Sequence, residues 1–247
     1  MDQISDPEQA ADLVSCAVLP GARERQTILE TVDLEGRLTS LFPGDLPVLL
    51  PDGKTILYAT SMTSPKNRFN QLYRVPAKGG LPEKLPVPYG EFGAISPDGK
   101  TLAYVPISVD FRTWKRYRGG MADDVWLYDF KTKATTNLTS NPALDIIPMW
   151  KGNTVYFVSD RDASFRMNLY SYNLGTKQTK KLTDFTEYDI KFPSLGDNAI
   201  VFENGGWIYK LDLATEKAEK ILHALYRSKT AIALVVLSNR LPADVLA

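Results

Sequence analysis

From about Gly44 to Ile221, large apolar residues alternate with polar ones in short runs, the pattern of half-buried strands. Three features recur there in a fixed order. A tight turn feeds an aromatic strand: Pro51-Asp52-Gly53-Lys54-Thr55 precedes Ile56-Leu57-Tyr58, and Pro97-Asp98-Gly99-Lys100-Thr101 precedes Leu102-Ala103-Tyr104. Degenerate copies are Lys151-Gly152-Asn153-Thr154 before Val155-Tyr156-Phe157 and Gly196-Asp197-Asn198-Ala199 before Ile200-Val201-Phe202. Glycine takes positive φ at no steric cost and Asn or Asp tolerates it, so these pairs suit tight turns. A second strand with a central aromatic follows, at Leu72-Tyr73-Arg74-Val75, Val125-Trp126-Leu127-Tyr128-Asp129, Asn168-Leu169-Tyr170-Ser171-Tyr172 and Trp207-Ile208-Tyr209-Lys210-Leu211-Asp212. After another turn comes a short strand ending in Lys84-Leu85, Asn137-Leu138-Thr139 or Lys181-Leu182-Thr183. Each unit therefore reads as a meander of about four strands.

The turn threonines Thr55, Thr101 and Thr154 and the equivalent Ala199 are 46, 53 and 45 residues apart, one propeller blade per repeat. Four blades are visible. A sandwich does not require the same order of turns and strands at a constant period, so the fold class is all-β, a partial or four-bladed β-propeller with short helical extensions at both ends. The predicted domains are 1–43, 44–221 and 222–247. Asp6 and Pro7 start a helix carrying Ala10, Ala11, Val14, Ala17 and Val18, and Ile28, Leu29, Val32, Leu38 and Leu41 continue after a break at Pro20-Gly21. The C-terminal extension, from Leu222 to Ala247, starts as a candidate helix through Ala224, Leu225 and Tyr226.

Composition narrows the function classes. Among 247 residues, 29 basic side chains balance 29 acidic ones, so no global field points to nucleic acid or to a membrane. The longest purely apolar run, Ala231 to Leu237, is far shorter than the roughly 20 residues of a membrane span, and no basic, apolar leader opens the chain. The expected location is the cytoplasm. Cys16 is a lone thiol and reads as buried filler.

The repeats resemble PD40 or TolB-like propeller repeats, through Ser96-Pro97-Asp98-Gly99-Lys100. The excess length of the second repeat, Phe111-Arg112-Thr113-Trp114-Lys115-Arg116-Tyr117-Arg118-Gly119-Gly120, followed by Val125-Trp126-Leu127-Tyr128-Asp129, resembles the Trp-Lys-x-Tyr-Arg-Gly-Gly segment of the tricorn protease family's first six-bladed propeller. Tyr156-Phe157-Val158-Ser159-Asp160-Arg161-Asp162, Leu182-Thr183-Asp184-Phe185-Thr186-Glu187-Tyr188-Asp189 and Gly205-Gly206-Trp207-Ile208-Tyr209 follow the same family in order. That resemblance implies the later blades of a non-catalytic domain forming a channel or gate for peptides, with the first one or two blades missing; a closed four-bladed ring is the other arrangement. Uncovered blade edges would then favour pairing with another chain. The stretch from Asp6 to Leu41 resembles the helical segment of the Lon protease N-terminal domain.

No catalytic machinery is expected, and no cofactor or metal. The single histidine, His223, is placed after the repeats and reads as a surface or interface residue; there is no Gly-x-Ser-x-Gly, phosphate loop or metal-ligand spacing. Asp160, Asp162, Asp184 and Asp189 match no calcium loop and read as turn-capping carboxylates. The candidate contact site is the insertion. Arg112, Lys115, Arg116 and Arg118 are suited to a peptide carboxylate, and Trp114 and Tyr117 to a flat apolar floor. The competing structural reading packs the aromatics on a neighbouring blade and bridges the arginines to Asp123, Asp124 or Asp129. Stacking and phosphate contacts to RNA are a third use of such a patch, against which the balanced charge argues. The expected partners are peptides or a protein, and the alternative function is a piece of a tricorn-like serine peptidase that acts only with a separate catalytic domain.

Overall fold

The computed structural model describes residues 48–50, 53–61, 64, 69–106 and 115–223. The N-terminal helical extension, the Lon-like resemblance, Cys16 and the C-terminal extension beyond His223 fall outside these residues, while Leu222 and His223, assigned to that extension, end a strand. The described part is all-β. Its sixteen strands form four antiparallel meanders, each with its strands in sequence order.

The first compact unit holds blades 1 and 2. Blade 1 comprises β1 (Val48–Leu49), β2 (Thr55–Thr60), β3 (Gln71–Pro76) and β4 (Glu83–Lys84), and blade 2 comprises β5 (Gly93–Ile95), β6 (Thr101–Tyr104), β7 (Trp126–Asp129) and β8 (Thr135–Asn137). The two share a core of Leu50, Leu57, Leu72, Leu85, Val87, Ile95, Leu102, Tyr104 and Tyr128. Gly93 lets them approach, because a Cβ there would sit 2.9 Å from Leu57 Cδ2 and 3.2 Å from Leu72 Cδ1.

The second unit holds blades 3 and 4. Blade 3 comprises β9 (Asp145–Lys151), β10 (Thr154–Ser159), β11 (Asn168–Asn173) and β12 (Gln178–Lys181), and blade 4 comprises β13 (Lys191–Leu195), β14 (Ala199–Asn204), β15 (Trp207–Asp212) and β16 (Ala218–His223). Their first strands, β9 and β13, adjoin. Phe202 is fully buried, stacked on Tyr209 with ring centroids 5.5 Å apart, and Phe185 meets both rings edge-on.

The repeat is visible in the hydrogen bonds of its turns. Before the second strand, Gly53, Gly99 and Gly152 take φ of 63°, 72° and 54°. Ser96 Oγ donates to Asp98 Oδ1 (2.7 Å) and accepts from the Thr101 N–H (2.9 Å), holding the Asp-Gly turn from inside. The hairpins into the last strand share one design in blades 2, 3 and 4. Asp129, Asn173 and Asp212 each accept the N–H groups two and three residues on. Lys133, Lys177 and Glu216, four residues on, then adopt φ of 59°, 58° and 55°, each donating its N–H to the main-chain oxygen of that first residue at 2.8 Å. Thr139 and Thr183 Oγ1 likewise accept the N–H groups of Val125 and Leu169, so Asn137-Leu138-Thr139 is blade sequence.

Two expectations change. The short first strands β1, β5, β9 and β13 are not among the three recurring features read from the sequence, because each is short or interrupted. His223 does not follow the repeats; it ends β16, paired with Trp207. Among the described residues no helix is long and apolar enough to cross a membrane.

Two measurements check this picture. Phe202→Ala should cost about 3–5 kcal/mol in urea unfolding, whereas Leu81→Ser, at a position 87% exposed, should stay within about 0.5 kcal/mol. Hydrogen bonds from the Thr132 N–H and hydroxyl hold the Asp129 carboxyl below the usual carboxylate range. A folded pKa below the unfolded one stabilises above the unfolded value and is lost as pH falls through the folded value. The melting-temperature difference between wild type and Asp129→Ala should therefore be full at pH 6 and shrink below about pH 4.

Candidate functional site

Of the insertion's candidate residues, Arg112 and Trp114 fall outside the described residues. Lys115 is exposed, and Arg116, Tyr117 and Arg118 belong to the second unit. There the two arginines reach between loops. Arg116, with φ of 56°, donates from Nη2 to both carboxylate oxygens of Asp189 at 2.9 and 3.2 Å. Asp189 lies in the β12–β13 connection, and its Oδ1 also accepts the Met167 N–H at 3.1 Å. Arg118 donates from Nη1 to Asp160 Oδ1 and from Nη2 to the Asp160 main-chain oxygen, both at 2.7 Å. Asp160, at the end of β10, also receives the Leu144 N–H at 2.9 Å. The Arg118 guanidinium lies 5.1 Å from the centroid of the Phe165 ring, a cation–π contact.

The insertion is thus joined to the connections on either side of β11 and β12. Between its anchored arginines Tyr117 is 40% exposed, and Phe165 and Tyr188 on the two connections are 47% and 57% exposed. The structural reading of the arginines holds in kind, with different partners. The acceptors are Asp160 and Asp189, while Asp124 takes the Thr139 hydroxyl and the Asn141 N–H, and Asp129 caps its own turn. Sequence distance hid this: Arg116 and Asp189 are 73 residues apart, and only the stacking of two repeats brings them together.

The remaining acidic candidates are also engaged. Asp162 caps the Ser164 N–H at 2.8 Å and pairs with Lys181 Nζ at 2.6 Å, which also pairs with Asp184. Burial pushes the Asp162 carboxyl up, but bonds from Lys181 and Ser164 outweigh it and hold the carboxyl below its ordinary value. Of the four carboxylates read as turn caps, Asp162 caps its own turn, Asp160 and Asp189 accept N–H groups 16 and 22 residues away, and Asp184 pairs with Lys181. Nearby, the wholly buried Asp145 accepts from Arg161 Nη2 at 2.8 Å and from the Asn141 side chain at 2.5 Å. Burial raises its carboxyl above the usual range in spite of Arg161. Arg161 in turn lies over the Phe157 and Tyr170 rings at 5.1 and 5.0 Å. Among the described residues no group of three or more His, Cys, Asp or Glu side chains is arranged to hold a metal ion.

Chemically, this is a surface of fixed cations whose charge is already balanced, with aromatic rings standing between them. Arg118→Ala strands the Asp160 carboxylate, which is 2% exposed. The expected loss is about 2–4 kcal/mol in chemical denaturation, below that of a fully buried pair because Arg118 itself keeps 28% exposure. Adding Asp160→Asn should recover part of it, which a double-mutant cycle would read directly.

Comparison with known proteins bears on the whole blade array. The family model described as the tricorn protease N-terminal beta propeller domain matches residues 46–217. The chain is 30% identical over 174 residues to a protein named Tricorn protease from Thermoplasma acidophilum, covering 69% of this chain and 15% of that protein. It is 29% identical over 166 residues to one named Tricorn protease homolog from Saccharolobus solfataricus, covering 67% and 15%. The chain thus spans about 15% of the length of these curated relatives. Among solved structures, a putative TolB from Agrobacterium tumefaciens superposes with a TM-score of 0.55 at 18% identity, over 72% of this chain and 66% of that one, a likeness of fold alone.

Proposed function

The chain belongs to the tricorn protease N-terminal β-propeller family, and from that membership we propose that it is a non-catalytic propeller module that binds or channels peptides or a protein partner. The observation that carries this reading is that the family match spans the blades themselves, from residue 46 to residue 217. Proteolysis is what the relatives' names ascribe to them, and this chain corresponds to a small part of their length. Its one histidine ends an outer strand, so a Ser-His-acid triad would have to be assembled at the edge of blade 4.

The insertion, with Arg112, Trp114, Lys115, Arg116, Tyr117 and Arg118, is the surface we assign to peptide contact. The fixed Arg116 and Arg118 lower the ordering cost of binding, because their side chains are already held. An incoming carboxylate exchanges more readily at Arg116, since Asp189 keeps 15% of its side chain exposed and Asp160 only 2%. A second reading, a piece of a serine peptidase that acts only with a separate catalytic domain, draws on the 15% share of each relative that the chain covers.

Fluorogenic-peptide hydrolysis and anisotropy binding of short labelled peptides, run on the 247-residue chain, test the proposal. Binding without hydrolysis is expected, weakened about threefold to tenfold by Arg116→Lys, which keeps the charge but loses the planar fork. Hydrolysis that follows the purified chain overturns the non-catalytic reading. Hydrolysis that appears only with an added catalytic domain favours the second reading.

A further inference from the structure

A strained feature repeats in the second unit, on the first strands of blades 3 and 4. In β9, Ile147 and Pro148 together face one residue, Phe157, across the pair with β10; in β13, Phe192 and Pro193 together face Phe202 across the pair with β14. Each is a β-bulge with one extra residue, and each falls at the same place in its blade. Proline is tolerated there because a bulge breaks the ladder that needs its missing N–H. The residue before it pays sterically: φ is 55° at Ile147 and 49° at Phe192, a region that β-branched and bulky side chains rarely enter.

The side chains chosen for these tips are what the backbone does not explain. Glycine or asparagine would take this conformation with less strain. At the hairpin turns, where the same positive φ recurs, the residues are Lys133, Lys177 and Glu216, all exposed and polar. At the bulges they are large and apolar. Burial does not repay the strain at Phe192, which is 47% exposed, next to an exposed Lys191. Opposite it, Phe202 is fully buried, so the bulge separates a ring that serves the core from a ring that does not.

We infer that Phe192, with Ile147 at the equivalent bulge of the adjoining first strand, is a contact for apolar side chains of an extended polypeptide. This rests on the peptide-binding reading proposed above and adds to the insertion's aromatics a second apolar contact, on the first strands of blades 3 and 4. The tips present no fixed charge of their own, so they suit neither a phosphate nor a metal ion. Two apolar tips on neighbouring strands match a ligand that offers apolar groups in succession, as an extended chain does. In a propeller the blades surround a central channel, and the first strands are where blades 3 and 4 come together.

Phe192→Asn tests this without a folding confound, because asparagine accepts positive φ and removes only the ring. Its melting temperature should equal or exceed that of wild type. Anisotropy should use a labelled unstructured octapeptide containing leucine and phenylalanine, beside the same peptide with serine in their place. The expected result is about a tenfold loss of affinity for the apolar peptide, the worth of one aromatic contact, with little change for the serine peptide. In a Phe192→Trp variant, the apolar peptide should shift the new indole's emission to shorter wavelength. Wild-type binding that persists unchanged in Phe192→Asn overturns the inference and leaves the peptide-binding reading standing; wild type that binds neither peptide overturns both.

Discussion

The controlling constraint in this chain is that the second strand of each blade is apolar on both faces. Ala199, Ile200, Val201 and Phe202 are consecutive and all buried, as are Leu102, Ala103, Tyr104 and Val105. Successive side chains of a strand point to opposite faces, so such a run needs a partner layer above and below it. An isolated meander has no such layers and cannot bury its apolar faces alone. Stacking repeats supplies them, which makes the blade a unit that is incomplete alone. In the first unit this requirement is met by a core drawn from two blades at once, with Gly93 leaving room for Leu57 and Leu72.

The demand for two covered faces falls off towards the last strand of each blade. The last strands are mostly exposed, and their free edges are limited in several ways. β4 and β8 are very short, Lys180 and Lys181 end β12, and the register of β16 is broken at Ile221. Short length, charge and bulging are the means by which natural sheets discourage edge pairing. The hairpins that lead into these strands carry no core, so local chemistry must define them. An Asx turn followed by one residue of positive φ does so in three blades, with the side chain at that position free to be lysine or glutamate.

That division explains what could be read from the chain and what could not. Period, strand order and turn positions are local properties, and Asp-Gly pairs and aromatic runs reveal them directly. The first strands escaped because β1 and β5 are only two and three residues long and the signal of β9 and β13 is broken by Pro148 and Pro193, residues that argue against a strand unless a bulge is supposed. Asp162 was recognisable as a turn carboxylate, since capping is a short-range act, whereas Asp160 and Asp189 accept N–H groups 16 and 22 residues away and cap no turn of their own. Their arginine partners were not recognisable either, because Arg116 and Arg118 lie 73 and 42 residues from the carboxylates they meet. Two nearer carboxylates, Asp124 and Asp129, looked more accessible in sequence and are used for other purposes.

The ion pairs of the insertion also bear on how a surface can be both scaffold and contact. Asp160 and Asp189 each accept a backbone N–H from one loop and a guanidinium from another, so each carboxylate fixes two loops at once. Removing such a carboxylate loosens both, and removing the arginine leaves a poorly hydrated charge behind. A ligand that competes for Arg118 therefore works against the fold, while one that competes for Arg116 faces the more exposed acceptor. Rings pinned beside these pairs need no such exchange. Phe165 under Arg118, and Tyr117 between the two arginines, can meet a partner with every ion pair intact, at little cost in side-chain entropy. The aromatic members of this surface are consequently better placed than its cations to contribute net affinity.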